Sequence, residues 1–378
     1  MRTVLVTGAT GAIGSELTRY LVAEERTHVR LLIRARSREH LDQRLRGLFQ
    51  FWGLDPEDAA VSARVEAFAG DVTQPRLGLD ETSWDRLTGE VTNVIHSAGN
   101  VKLNRPLSEA RQSAVDSLRH VVSFVECCRE RGTFQKLEYV STVGVGGRMP
   151  GPVPERALFE PRSFRNSYEA AKAESEVFLV EQMERGLSAT IHRPGMVVGD
   201  SVTGKIIQFQ VFYHLCEFLS GRRTFGVIPD ARAYRLDIIP VDYVARAIQI
   251  SSLRGDTSGR IFHLCTGPEE SPTIGDIAKH VQERFAANGR PTSTLRPIPP
   301  WLMRTLLPAA GWFVGRGTQR ALRAVPYFLD YLDGQQGFAN TNSRAFFSSA
   351  GIELPAPERY LDTVLSYYLE SSAAAPAA

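Results

Sequence analysis

Tyr168 and Lys172 stand four residues apart in NSYEAAKAESEVFL, a spacing that on a helix puts both side chains on one face, about one turn apart. A phenol that titrates near pH 10 is a poor acid–base catalyst at neutral pH, and a neighbouring ammonium favours the phenolate and lowers that value. The pair therefore fits general acid–base chemistry, although a solvated helical pair accounts for the same two residues equally well. Upstream, LEYVSTVGVGG closes an apolar run on Ser141 and Thr142, with Thr142 26 residues before Tyr168. A strand-end hydroxyl of this kind is commonly just satisfied within the fold.

A second cluster of chemistry-bearing residues opens the chain. VLVTGATGAIGSEL places Gly8, Gly11 and Gly14 between a β-branched strand and a helix. Glycine there lets the backbone turn, approach a pyrophosphate and pack the helix on the sheet, while the helix N-terminus offers N–H groups to phosphate. A tight strand-to-helix turn is the plain alternative, and the position after the first strand favours a dinucleotide loop. At the end of the second strand, LLIRARSR carries Arg34, Arg36 and Arg38 with no acid before Glu39. An acid there would hold the ribose hydroxyls of NAD, whereas guanidinium suits the 2′-phosphate of NADP, so NADP(H) is the expected cofactor. A solvated basic loop is the bland reading. Asp71 in AGDVTQ follows the third strand, where a turn-forming role is equally ordinary.

These residues require elements to carry them. Over the first 200 residues short β-branched runs alternate with helix-period segments, the pattern of βαβ units and a parallel sheet. Strands are expected at Thr3–Thr7, Val29–Ile33, Val65–Ala69, Val94–His96, Leu137–Ser141 and Ala189–His192, with a core crossover helix over Leu107–Arg131. Arg235–Ile239 and Arg260–Leu264 read as late strands rejoining the sheet. The fold class is thus α/β, a Rossmann doubly wound parallel sheet of about seven strands with a smaller C-terminal lobe. Residues 1–200, completed by about 235–265, form the expected nucleotide-binding domain; 201–234 and 266–370 form the lobe, and 371–378 a frayed tail.

Composition sets the outer bounds. Of 378 residues 43% are hydrophobic and 23% charged, ordinary globular usage, and the net charge of +2 gives no basic excess for nucleic acid. Stretches free of charged residues are short, Thr305–Gly315 holding 11 residues and the longest, Thr3–Ser15, 13, too few for a membrane-spanning helix. No charged and apolar leader precedes the first strand, which implies a cytoplasmic address. Cys127, Cys128, Cys216 and Cys265 lack metal-ligand spacing, so no metal is expected, and His192 and His263 read as core or turn histidines.

TGATGAIG, the strand-end hydroxyls and Tyr-x-x-x-Lys occur here in the order found in the short-chain dehydrogenase/reductase superfamily, and the chain resembles its extended members. HRPGMVVGD (His192–Asp200) and LDIIPVDYVARAI (Leu236–Ile248) add to that likeness. The resemblance implies a catalytic set of Thr142, Tyr168 and Lys172, Thr142 being the second hydroxyl of the Ser-Thr pair. It implies cofactor contacts from Thr7, Gly8, Thr10, Gly11, Ala12, Ile13 and Gly14 in the loop and from Arg34 and Arg44 at the ribose end. Asp71 and Val72 would lie by the adenine, with Ser97, Ala98, Gly99, Pro194, Gly195 and Val197 joining Lys172 on the nicotinamide side. His96, in VIHSAGNV, is expected to be structural.

Within that superfamily the stretch from Val29 to Leu103 is similar to reductase domains that release acyl chains from carrier proteins and to fatty acyl-CoA reductases. The likeness runs through Arg34, Arg44, Gly70, Asp71, the QPRLGL segment, His96 and Ala98. It implies an NADPH-dependent reductase of acyl thioesters, giving aldehyde or alcohol. With no adenylation or carrier domain before Met1, the thioester is expected in trans, on coenzyme A or a separate carrier protein. One departure stands out: the family's Asn-Val-x-Gly-Thr is replaced by Ala114-Val115-Asp116-Ser117-Leu118. The aromatic stretch Lys205–Leu219 is expected to wall an apolar channel or close the small lobe's core. Arg296–Tyr331 is expected to line the cleft or dock a greasy partner or membrane surface, unless it simply packs the lobe. Rival readings are a ketone or alcohol dehydrogenase, a sugar-nucleotide epimerase or dehydratase, and a non-catalytic NADP sensor. Oligomeric state is not legible.

Overall fold

The computed structural model describes residues 2–222, 224–299, 301–302 and 336–374. Its strands in chain order are β1 (Arg2–Thr7), β2 (Thr27–Ile33), β3 (Val65–Ala69), β4 (Asn93–His96), β5 (Lys136–Val140) and β6 (Ala189–Pro194), followed by β7 (Met196–Val198), β8 (Val227–Pro229), β9 (Ile238–Pro240), β10 (Ile261–Leu264) and β11 (Arg296–Ile298). Seven of them form one parallel sheet in the order β10-β6-β5-β4-β1-β2-β3.

The strands are nearly continuous apolar runs because helices cover both faces of the sheet. In β1, Val4 and Val6 point into one core with Leu17, Leu21 and Phe347, while Leu5 points into the other with Val121, Leu137 and Leu179. Chain direction from the centre reverses between β1 and β4. This leaves a crevice beyond their C-terminal ends, where open α/β sheets bind ligands.

Two expectations about the sheet need correction. Arg235–Ile239 does not rejoin it: Arg235 makes an isolated antiparallel bridge to Thr273, and the strand Ile238–Pro240 pairs with β7 in a separate two-stranded ladder. The edge position beside β6 goes instead to Ile261–Leu264. The crossover helix expected over Leu107–Arg131 is also not uniform, because a π-helical turn at Gln112–Asp116 separates Leu107–Arg111 from Ser117–Glu130. That turn overlaps, at Ala114–Asp116, the segment that departs from the family pattern.

A smaller core lies beyond the crevice. Helix Val211–Leu219 buries Phe212, Tyr213, Leu215 and Leu219 against Ile277 and Val281 of helix Ile274–Ala287 and against Tyr360, Val364 and Leu365 of helix Pro357–Ala374. The expected frayed tail is therefore helical as far as Ala374, and Arg290 ties it down by donating to Ser372 Oγ at 2.5 Å. Most of the Arg296–Tyr331 segment lies outside the described residues; of it, Arg296–Ile298 pairs with β8. Among the described residues no helix is long and apolar enough to cross a membrane.

Candidate active site

The helix that carries Tyr168 and Lys172, Ser167–Glu184, begins at a definite point. Asn166 Oδ1 accepts the Glu169 N–H at 3.0 Å and the Glu169 carboxylate accepts the Arg165 N–H at 3.0 Å, so side chains satisfy amides that helix geometry leaves open. Tyr168 is fixed in the first turn and Lys172 one turn later. At the end of β5, Thr142 caps the short 3₁₀ turn Val143–Gly146, its Oγ1 accepting the Gly144 N–H at 3.1 Å.

Thr142, Tyr168 and Lys172 line one cavity of about 310 Å³ with Ala12, Ile13, Pro194, Gly195 and Val197. A second cleft, of about 640 Å³, is lined by Gly8, Thr10, Arg34, Arg44, Asp71, Val72 and Ala98. Gly11, Ser97 and Gly99 border both, so the two spaces adjoin at the glycine loop. Thr7 and Gly14 border neither. Thr7 is buried with its Oγ1 2.7 Å from His96 Nδ1, and Gly14 is the place where the helix meets the loop.

The loop is packed backbone against backbone. Gly8 has a φ of +81°, and a Cβ there would lie 2.6 Å from the Ala98 nitrogen; one on Gly14 would lie 2.2 Å from the Gly8 carbonyl oxygen. At the far end Arg44 donates to Thr10 Oγ1 at 2.8 Å and to the Arg34 carbonyl at 2.6 Å. Burial and the neighbouring Arg34 charge both lower the Arg44 guanidinium's affinity for its proton. Among the described residues neither arginine has a carboxylate partner, so two cations face a cleft together. Asp71 folds back, its Oδ1 accepting from the Thr73 N–H at 2.9 Å and from its hydroxyl at 2.8 Å.

Electrostatics inside the cavity differ from the simple Tyr–Lys expectation. Burial pushes the Tyr168 phenol up to about 12, and a hydrogen bond with Thr142 pulls it only part of the way back. Burial also brings Lys172 down to about 8, with Glu176 opposing. The Lys172 ammonium donates to the Val140 carbonyl at 2.8 Å and to Tyr139 Oη at 3.2 Å. In the protein alone, then, desolvation outweighs any charge assistance to Tyr168. His96 is fully buried and held neutral, its pKa brought down to about 3 by burial and by Lys172.

The segment Lys205–Leu219 divides its roles. Its helical part fills the small core, while Gln208, Gln210 and Val211 face the cavity. Gln208 was not expected: its Nε2 donates to the Thr10 carbonyl at 3.1 Å, strapping the substrate side onto the glycine loop, and it borders both spaces. Arg165, Arg235 and Gln336 also line the cavity. No spacing signal in the chain marks them.

A family model described as Male sterility protein, of NAD-binding type, matches residues 6–248. The chain belongs to that family. Within the extended short-chain dehydrogenase/reductase superfamily it is an NAD(P)-dependent oxidoreductase. Among solved structures it is similar to the terminal R domain from the myxalamid PKS-NRPS biosynthetic pathway, with a TM-score of 0.78 and 26% identity, covering 98% of this chain and 91% of that one. It is 29% identical over 277 residues to an isonitrile lipopeptide synthase of Streptomyces coeruleorubidus, covering 72% of this chain. Over 283 residues it is 29% identical to the L-2-aminoadipate reductase large subunit of Penicillium chrysogenum, covering 70%. The matched segments are 18% and 19% of those two relatives' lengths.

Proposed function

We propose that this chain reduces acyl thioesters with NADPH, releasing an aldehyde, or an alcohol after a second reduction, and a free thiol. The observation that carries the reading is the convergence of Thr142, Tyr168 and Lys172 on a cavity that adjoins the glycine-loop cleft. The cofactor fits the residues present: Gly8 and Gly11 border the cleft with no side chain to keep a phosphate from the backbone, and Arg34 with Arg44 offers paired cations to a 2′-phosphate.

Bound there, NADPH would supply a hydride to the thioester carbonyl carbon. Thr142 and Tyr168 donate hydrogen bonds to the carbonyl oxygen, where negative charge develops. Tyr168 then gives its proton to that oxygen, a step suited to a phenol kept protonated by burial. The hemithioacetal so formed loses its carbon–sulfur bond, giving aldehyde and thiol. Lys172 holds a ribose hydroxyl and presents positive charge beside the phenol. The acyl group arrives on coenzyme A or on a carrier protein; likeness to a terminal R domain supports the carrier.

The test is to incubate the protein with NADPH and a series of acyl-CoA and acyl-carrier thioesters, following thiol and carbonyl product together. Stoichiometric release of both is expected. Turnover of ketones or alcohols with no thiol released would assign the site to the dehydrogenase class instead.

A further inference from the structure

Lys172 is held by a residue outside the catalytic set. The parallel register puts Thr7 of β1 beside His96 of β4, and His96 beside Tyr139 of β5, so the three side chains form a row on the sheet face beneath helix Ser167–Glu184. Contacts bear this out: Thr7 Oγ1 is 2.7 Å from His96 Nδ1, and the His96 and Tyr139 rings stack with centroids 5.7 Å apart. Tyr139 is fully buried, and Lys172 Nζ sits 3.2 Å from its oxygen and 4.6 Å from its ring centroid. An ammonium can only donate, so the phenol oxygen is the acceptor of this contact.

We propose that Tyr139 is a positioning residue of this site, its hydroxyl acting with the Val140 carbonyl to hold the Lys172 ammonium charged and aimed at the cofactor cleft. An ammonium has three donors. Two are taken on the strand side, and the nitrogen lies 3.7 Å from where a Cβ on Gly99 would sit, Gly99 bordering both the cavity and the glycine-loop cleft. The groups acting on it are Glu176 one turn on, which stabilises its charge, neutral His96 across the row, Tyr168 one turn back, and Tyr139. Burial works against that charge, so an acceptor at 3.2 Å matters for how long it survives as pH rises.

The inference rests on the cofactor-site reading above but not on the thioester, so its test uses NADPH alone. The NADPH dissociation constant of Tyr139→Phe is measured from pH 6 to 10 beside wild type, with thermal melting to confirm folding. The alkaline loss of binding is expected to move down by about one pH unit, so that binding is near wild type at pH 6.5 and roughly three- to tenfold weaker on the alkaline side. In a Lys172→Met background the same change is expected to have no further effect. Superimposable pH profiles, or a uniform weakening that persists in the Lys172→Met background, would overturn the proposal. If Tyr139→Phe does not fold, a ring-fluorinated tyrosine at 139, of nearly the same shape and a weaker acceptor, is expected to shift the limb in the same direction, and an unmoved limb overturns the proposal. A wild-type protein that binds no NADPH would overturn this proposal and the site reading together. A shifted limb without thioester turnover would refute the substrate alone.

Discussion

The guanidinium of Arg44 donates to the hydroxyl of Thr10 at 2.8 Å, joining the helix after β2 to the glycine loop. With Arg34 next to it and no carboxylate among the described residues to pair with either, the two present paired cations to the cleft. NADPH is therefore expected to bind more tightly than NADH by about one to two decades, the worth of a charge-assisted contact of roughly 1.5 to 3 kcal/mol. Arg44→Ala should erase most of that preference. Paired dissociation constants for the two cofactors check it, and equal affinities in wild type would contradict it.

Tyr168→Phe keeps the ring and loses the proton donor. Turnover should fall by about two to four decades while NADPH affinity stays within a few-fold of wild type. Lys172→Ala should weaken both, because its ammonium lines the cavity beside Gly99, which also borders the glycine-loop cleft. Single-turnover rates together with binding titrations separate the two effects.

Gln208→Ala removes the strap between the substrate side and the Thr10 carbonyl. One hydrogen bond of about 0.5 to 1.5 kcal/mol predicts a two- to tenfold rise in the NADPH dissociation constant. The side chain is exposed, so the melting temperature should hardly move. A large drop in melting temperature would mean that Gln208 holds the fold and not the ligand site.

Asp237 gives a pH signature. Burial raises its carboxyl to about 6, against the hydrogen bonds it accepts from the Thr266 and Gly267 amides. Between about pH 4 and 6 the folded protein holds this proton and the unfolded chain does not, so stability assigned to Asp237 falls as pH rises through that window and is level above it. Relative to Asp237→Asn, wild type should lose about 1 to 3 kcal/mol between pH 4 and 7. Urea midpoints of both proteins at the two pH values measure this, and a constant difference would refute it.

The glycine loop, the strand-end hydroxyl and the Tyr-x-x-x-Lys pair are legible in the chain because each is local: a turn, a strand end and one helical turn fix them within a few residues. The five strands from Arg2 to Val140 follow from β-branched runs for the same reason. What the chain does not display is what neighbouring elements do to these groups. The Tyr–Lys spacing argues for a lowered phenol, yet the fold buries it and raises it to about 12.

Tertiary structure alone decided the rest. The separation of β9 from the main sheet depends on which strand reaches the edge beside β6, a matter of packing and not of the apolar pattern of Arg235–Ile239. Gln208 meets Thr10 across 198 residues, and Tyr139 meets Lys172 only because parallel register and a crossover helix bring strand and helix together. The sequence determined which residue types were available and where each local turn lies. Burial and long-range register, set only when the chain closes on itself, determined which groups touch and how strongly each holds its proton.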